Sequence, residues 1–243
     1  MSGHPPRVPG GLGWPHLHLR TTTSTNDRAR ELAAAGAPHG TIVTAGEQSA
    51  GRGRQGRTWS APPGHALLLS VLVRDPPELL PLAAGVAAAR AIGPDASIKW
   101  PNDVLLPAEA GEATRRKVAG ILTEARPQEG WAVVGIGVNV AVRLADLPPE
   151  LRSTATTLAR EPREVPEVRR AILAELAIVL ASTPAEMLRA WRERDALLGQ
   201  AVTWATGSGV AAGVDGCGRL IVNLPGGGRT ELGAGEVHLG AAS

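Results

Sequence analysis

Phenylalanine and tyrosine are absent from these 243 residues, cysteine occurs once, and lysine supplies only two of the 25 basic side chains. Each scarcity excludes something. The single Cys217 forms no internal disulfide and no cysteine metal cluster, which fits a reducing compartment. No apolar run approaches the roughly 18 residues that a membrane span requires. The opening MSGHPPRVPGGLGWP is too polar and too rich in proline and glycine for a signal peptide. A soluble, cytoplasmic protein without membrane association is therefore expected. The shortage of Lys, Asn, Ile, Phe and Tyr is the signature of GC-rich coding, although codon bias does not comfortably account for the complete loss of Phe and Tyr. Against that drift stand Lys99, in SIKWPNDVLL, and Lys117, in RKVAGILTEA. Either two lysines survived by chance, or a compact ammonium is needed where a guanidinium substitutes poorly.

What is present suffices for one substantial core and a second small one, since 43% of the residues are hydrophobic. After a loose leader, residues 1–15, PHLHLRTTT alternates weakly as an edge strand, with His16 and His18 as strand residues rather than metal ligands. STNDRARELAAAGAP opens with N-cap residues and closes at Gly36 and Pro38, as a helix does. TIVTAGE and HALLLSVLV read as strands, and ELLPLAAGVAAARAIG as a helix. SIKWPNDVLL, KVAGILTEA and WAVVGIGVNVAV supply three more strand candidates, the last two at hairpin distance across PQEG. Helical segments follow at about 164–182 and 184–196, and short β-like pieces fill the remainder. The expected class is α/β (α+β): a mixed, largely antiparallel sheet flanked by helices over residues 16–196, then a small all-β module over 197–243.

GRGRQGRTW, residues 51–59, sets three arginines among three glycines. Glycines let backbone amides approach an anion, and guanidinium groups grip phosphate or carboxylate in pairs. The loop lacks the GK[ST] ending of a Walker motif and is not followed by a helical pattern, so spacing alone leaves a solvated basic loop open. In IKWPNDVL, Lys99, Asn102 and Asp103 gather at a strand end with Pro101 fixing the turn, equally a polar hairpin or a site for a nucleotide and its divalent cation. Lys117 precedes a strand whose Gly120 could admit a ligand. Asn139, inside VVGIGVNVAV, needs a hydrogen-bond partner if buried, from its own strand end or from an adenine edge. A nucleic-acid-binding reading of the arginine loop is disfavoured, because the net charge is only +2 and Trp59 is the loop's one aromatic.

STN (24–26), EQSAGRGRQGRTW (47–59), KWPNDV (99–104), KVAGILTE (117–124) and VGIGVNV (134–140), in this order, closely resemble the biotin protein ligases, over about residues 20–240. The resemblance implies a catalytic domain like those of class II aminoacyl-tRNA synthetases and biotin synthetases, with an SH3-like C-terminal barrel. It implies ATP and biotin as substrates with Mg2+, biotinyl-5′-AMP as intermediate, and a lysine of a biotin carboxyl carrier domain as acceptor. It places Ser24, Thr25, Asn26, Gln48, Gly51, Arg52, Gly53, Arg54, Gly120 and Ile121 around biotin, and Arg57, Lys99, Asn102 and Asn139 around the nucleotide. Lys117 contacts both and is the principal catalytic residue, with Arg52 and Arg54 on a closing loop and Asp103 orienting the acceptor lysine or the metal. The metal ligands are not assigned. Fewer than 25 residues precede STN, so no helix-turn-helix of the repressor type is expected there. Residues 141–158 contain no aromatic to cover adenine, leaving Leu147 or Leu151 for that place. Family members are monomers or homodimers. A lipoate-type ligase on the same fold is the alternative enzyme; a thiol-dependent acyl transferase is less expected, with no cysteine in the catalytic domain.

Overall fold

The computed structural model describes residues 11–108, 114–233, 235 and 237–239. Strands β1 (His16–Thr22), β2 (Ile42–Gln48), β3 (Ala66–Arg74), β4 (Ser97–Lys99), β5 (Asp103–Pro107), β6 (Arg115–Arg126) and β7 (Trp131–Asn139) form one sheet in the order β1-β2-β3-β7-β6-β5-β4. β1 and β2 run parallel; every other pairing is antiparallel. The mixed, largely antiparallel sheet is the expected one. SIKWPNDVLL, offered as a strand candidate with a turn at Pro101, is two short strands folded back on each other, with Lys99 opposite Asp103.

The two long central strands pair from Ala66 opposite Asn139 to Arg74 opposite Trp131. Because side chains alternate across a strand, each presents one set of residues to each face. Leu67, Leu69, Val71 and Val73 of β3, with Ala132, Val134, Ile136 and Val138 of β7, join the main core. That core lies under α2 (Leu80–Ile92), α3 (Val165–Leu180) and α4 (Pro184–Arg192). α2 contributes Ala83, Ala84, Ala87, Ala88 and Ala89, small side chains that let helix and sheet approach closely. Burying each large aliphatic side chain contributes about 1.5–3 kcal/mol. On the opposite face, α1 (Thr25–Ala34) packs Ala29 and Ala33 against Val43, Leu72, Trp131 and Val133. It covers only part of that face, and the uncovered part becomes the site.

Ser24 is the N-cap residue of α1, as expected, yet its side chain makes no capping bond. Gln48 supplies it from the end of β2, its Oε1 accepting from the Thr25 backbone N–H at 2.7 Å. The His16 and His18 rings both meet the Thr44 hydroxyl, at 2.8 and 2.9 Å. Residues 1–10 of the expected leader lie outside the described residues. In its remainder Leu12 is 2% exposed while Trp14 is 50% exposed, and Ile42 N–H donates to the Pro15 carbonyl at 2.8 Å.

The tail forms an antiparallel sheet of five strands, β8 (Ala201–Trp204), β9 (Gly207–Val214), β10 (Leu220–Asn223), β11 (Arg229–Leu232) and β12 (His238–Leu239), in the order β11-β10-β9-β8-β12. Among the described residues no pairing joins β11 to β12, so this sheet is open where a closed barrel was expected. Its Val202, Ala211, Val214, Leu220 and Val222 continue the main core. The turn at 215–218 reaches the first sheet directly: Trp100 Nε1 donates to the Gly218 carbonyl at 3.0 Å. Gly218 has φ +79°, and a Cβ there would stand 3.1 Å from Leu79.

Between α4 and β8 the chain runs beside β4, where Ile98 N–H donates to Arg194 O at 2.6 Å and Ala196 N–H to Ile98 O at 2.9 Å. This carries Asp195 inward. Burial pushes its carboxyl from 3.8 up to about 6, against the opposing backbone N–H bonds of Leu197 and Leu198. A folded-state value above the unfolded one means that its stabilising contribution is complete below the unfolded value and lost as pH rises through about 6. Asp195→Asn should therefore flatten the stability profile between about pH 4 and about pH 7. Urea midpoints across that window check this; an unchanged slope would show that Asp195 does not carry it.

Candidate functional site

The site starts as a loss of bulk along β7. On the face shared with α1, alternation places Trp131, Val133, Gly135, Gly137 and Asn139. The first two fill the space beneath α1; the glycines leave a trough. Gly120 of β6 stands opposite Gly137 and widens it. Other groups occupy the space that side chains would take. A Cβ on Gly135 would collide with the Asn26 amide, one on Gly137 would stand 2.5 Å from the Trp59 indole, and one on Gly120 would stand 3.0 Å from both Trp59 and Lys117.

One end of the trough is polar through the N-terminus of α1. Thr25 Oγ1 donates to Gln48 Oε1 at 3.0 Å. Ser70 Oγ lies 2.8 Å from Thr25 Oγ1 and 2.6 Å from Asn26 Oδ1. Asn26 Nδ2 donates to Leu122 O at 3.2 Å and to Glu124 Oε2 at 2.8 Å. Ser24, Thr25, Asn26 and Ser70 are all buried.

Residues 51–59 form a small hairpin over the trough. Arg52 bridges Thr58, Trp59 N–H donates to Gly51 O at 3.0 Å and Gly53 N–H to Arg57 O at 2.6 Å. Gln55 (φ 54°) and Gly56 (φ 75°) turn the tip. Gly51 has no room for a side chain beside the Trp59 carbonyl. The Arg52 guanidinium is engaged by Asp27 at 2.8 Å and Glu124 at 3.0 Å. Trp59 Nε1 is buried without an acceptor among the described residues, a donor suited to a ligand.

At the other end, Lys117 Nζ lies 2.6 Å from Asp103 Oδ1 and 5.7 Å from the Trp59 ring centroid. The β4–β5 turn is stapled to β6: Asn102 Nδ2 donates to Ile121 O at 3.0 Å, and Ile121 N–H donates to Asn102 O at 2.9 Å. Asn139, 5% exposed, spends its amide on the Thr156 carbonyl at 2.9 Å. It thereby ties the 141–158 segment to the sheet. That segment also pairs with β6, Lys117 N–H donating to Thr154 O and Thr156 N–H to Lys117 O, each at 2.8 Å. Leu147 and Leu151 both reach the cavity, Leu147 packed with Leu68 and Val142.

Together these walls enclose a cavity of about 480 Å3, the size of a small-molecule site. All the expected site residues border it except Gly51, which sits behind it at the base of the hairpin. Ile121 borders it, but its side chain belongs to the main core on the opposite face. The sequence reading assigned no site role to Ser70, Glu124 or Arg115, and named Trp59 only as the loop's one aromatic. Arg115 also borders the cavity, with its guanidinium on Asp95 O at 2.7 Å. Ser70 carried a signal, as the one polar residue in the apolar strand ALLLSVLV. No three His, Cys, Asp or Glu residues among those described are grouped to hold a metal, and no helix among them is long and apolar enough to cross a membrane.

Residues 18–140 match the model of the biotin/lipoate A/B protein ligase family. A biotin--[acetyl-CoA-carboxylase] ligase of Mycobacterium tuberculosis is 34% identical, over 96% of this chain and 92% of that protein. The bifunctional ligase/repressor BirA of Bacillus spizizenii is 37% identical over 61% of this chain, and the match spans about half of that relative, 47% of its length. Among solved structures, the Aquifex aeolicus biotin protein ligase in complex with biotin and ATP has a TM-score of 0.74 at 28% identity, covering 95% of this chain and 100% of that one. The chain belongs to the biotin/lipoate A/B protein ligase family, within its biotin protein ligase branch.

Ser70→Ala should cost about 1–3 kcal/mol, because it strips a partner from both Thr25 and Asn26 in a buried setting. A denaturation midpoint equal to that of the parent protein would mean the two side chains find other partners.

Proposed function

We propose that the chain is an ATP-dependent ligase that joins biotin to a lysine of a biotin carboxyl carrier domain. The observation that carries this reading is that one cavity over a glycine trough is lined by Lys117 and Asp103, by the arginine hairpin, and by Thr25, Asn26 and Gln48. The trough is apolar and narrow, suited to the biotin tail. The α1 end offers donors and acceptors for a ureido ring: Ser24, Thr25, Asn26 and Gln48. The buried Trp59 N–H supplies a further donor along the trough.

In the first step a biotin carboxylate oxygen bonds to the α-phosphorus of ATP and pyrophosphate leaves. Both reactants are negative, so the site must neutralise charge and hold them in line. Lys117 would contact the carboxylate and the α-phosphate, with Arg57 of the hairpin and Lys99 on the phosphate side and Arg54 over biotin; Arg115 is a further cation bordering the cavity. Asp103 and Asn102 are the side-chain oxygen donors there. That pair fits magnesium arriving on ATP phosphates, since this ion needs few protein ligands and would supply charge neutralisation. Leu147 and Leu151 pack on adenine in place of an aromatic, and Asn139 holds their segment in position. In the second step the acceptor lysine amine, oriented by Asp103, attacks the acyl carbon, forming the amide and releasing AMP. Closure of the hairpin excludes water, which would otherwise hydrolyse the anhydride. The tail, residues 197–243, is assigned to the SH3-like module of the family.

Biotin-dependent exchange of pyrophosphate into ATP tests this reading, with lipoate and octanoate run beside biotin; exchange with lipoate instead of biotin would overturn the substrate assignment, and no exchange at all the activity. Lys117→Ala should lower the exchange rate about 10²–10³-fold with an unchanged circular dichroism spectrum. Normal first-step kinetics would remove Lys117 from its role. Arg54→Ala should speed biotin dissociation, measured by stopped flow, and an unaltered rate would count against hairpin closure.

A further inference from the structure

Behind the hairpin, four charged side chains close a ring. Arg52 pairs with Asp27 at 2.8 Å and with Glu124 at 3.0 Å. Arg30 pairs with the same two carboxylates, each at 3.0 Å. The charges alternate, so every neighbour is opposite in sign, and the ring is neutral as a whole. Its members come from three elements: Asp27 and Arg30 from the first turns of α1, Glu124 from β6, and Arg52 from the hairpin. All four are partly buried, with Glu124 the least exposed at 24%. Closed networks of this kind stabilise more than isolated surface pairs, because each side chain is already ordered by one partner when it meets the next.

Two features make the ring more than a surface cluster. Glu124 also accepts from Asn26 Nδ2 at 2.8 Å through Oε2, the oxygen that holds Arg52. One carboxylate oxygen therefore joins the trough's polar end to the hairpin. Arg52 stands directly before Gly53, where the hairpin narrows, so fixing its guanidinium fixes the hairpin's base while the tip at Gln55 and Gly56 lies beyond.

We propose that Asp27 and Glu124 are positioning residues that anchor the arginine hairpin through Arg52 and couple its closure to occupancy of the Asn26 end of the trough. The ligand identity rests on the biotin ligase reading; the anchoring does not. Arg52 is the hairpin arginine held at the base, and Arg54 and Arg57 follow it in the hairpin.

The test uses the full chain with Glu124→Gln, which keeps an oxygen for Asn26 while removing the charge, Asp27→Asn, and the double substitution. In ligand-free protein, tryptic cleavage after Arg54 and Arg57, located by mass spectrometry, should accelerate about tenfold in the double variant, equivalent to ~1.4 kcal/mol. Cleavage elsewhere should not change. No acceleration, or acceleration along the whole chain, would overturn the anchor. In pyrophosphate exchange, KM for biotin should rise about tenfold in the double variant while kcat stays within about threefold. A fall in kcat at constant KM would show a structural role alone and overturn the coupling. If the parent protein shows no exchange, the ligase reading fails while the proteolysis result still decides the anchor.

Discussion

The structure depends on a strip of bare backbone. Along one face of β7 and β6, Gly135, Gly137 and Gly120 carry nothing where neighbouring positions carry Val133 or Leu122. Side-chain alternation lets the other face keep Val134, Ile136 and Val138, so the core is filled although the site is hollow. Packing and vacancy are thus written into the same strand at alternate residues. The groups that approach the strip, Asn26 from α1 and Trp59 from the hairpin, come from elements far apart in the chain, and both stand where a methyl group would have to be.

Charge is organised around that strip in two ways. Lys117 and Asp103 meet at 2.6 Å at its chemical end, on two strands in direct register with the glycines. The arginine hairpin lies above, one of its guanidinium groups held by carboxylates of α1 and β6. Hydrogen bonds from Gln48, Ser70 and Asn139 do the quieter part of the work. Each fixes a segment that has no regular pairing of its own at that point: the start of α1, its Asn26 side chain, and the stretch after β7.

Much of this was legible in the sequence, and the limits have physical causes. β2, β3, the β6–β7 hairpin and the helices follow from apolar pattern and from turn residues, which are local signals. SIKWPNDVLL left one strand and a hairpin both open, because two short apolar strands on either side of a tight turn have the composition of one. The ordered motifs gathered the larger part of the cavity lining, yet Glu124 was given no role, because its partners Asn26 and Arg30 lie 98 and 94 residues away. Ser24 sits where an N-cap belongs, but the bond comes from Gln48, a partner that only the parallel pairing of β1 and β2 brings near. The open tail sheet reflects the same limit. Short glycine-separated pieces announce strands without announcing which of them meet.

The indole of Trp100 is buried, and its N–H is satisfied by a carbonyl of the tail. Two residues after that indole comes Asn102, and then Asp103, the carboxylate that faces Lys117. The tail is therefore a buttress. Without it the indole would lose both its acceptor and its cover, in the turn that presents Asp103. The placing of Asp103 and the packing of the tail are in this way linked, through that hydrogen bond and through the apolar core that the two sheets share.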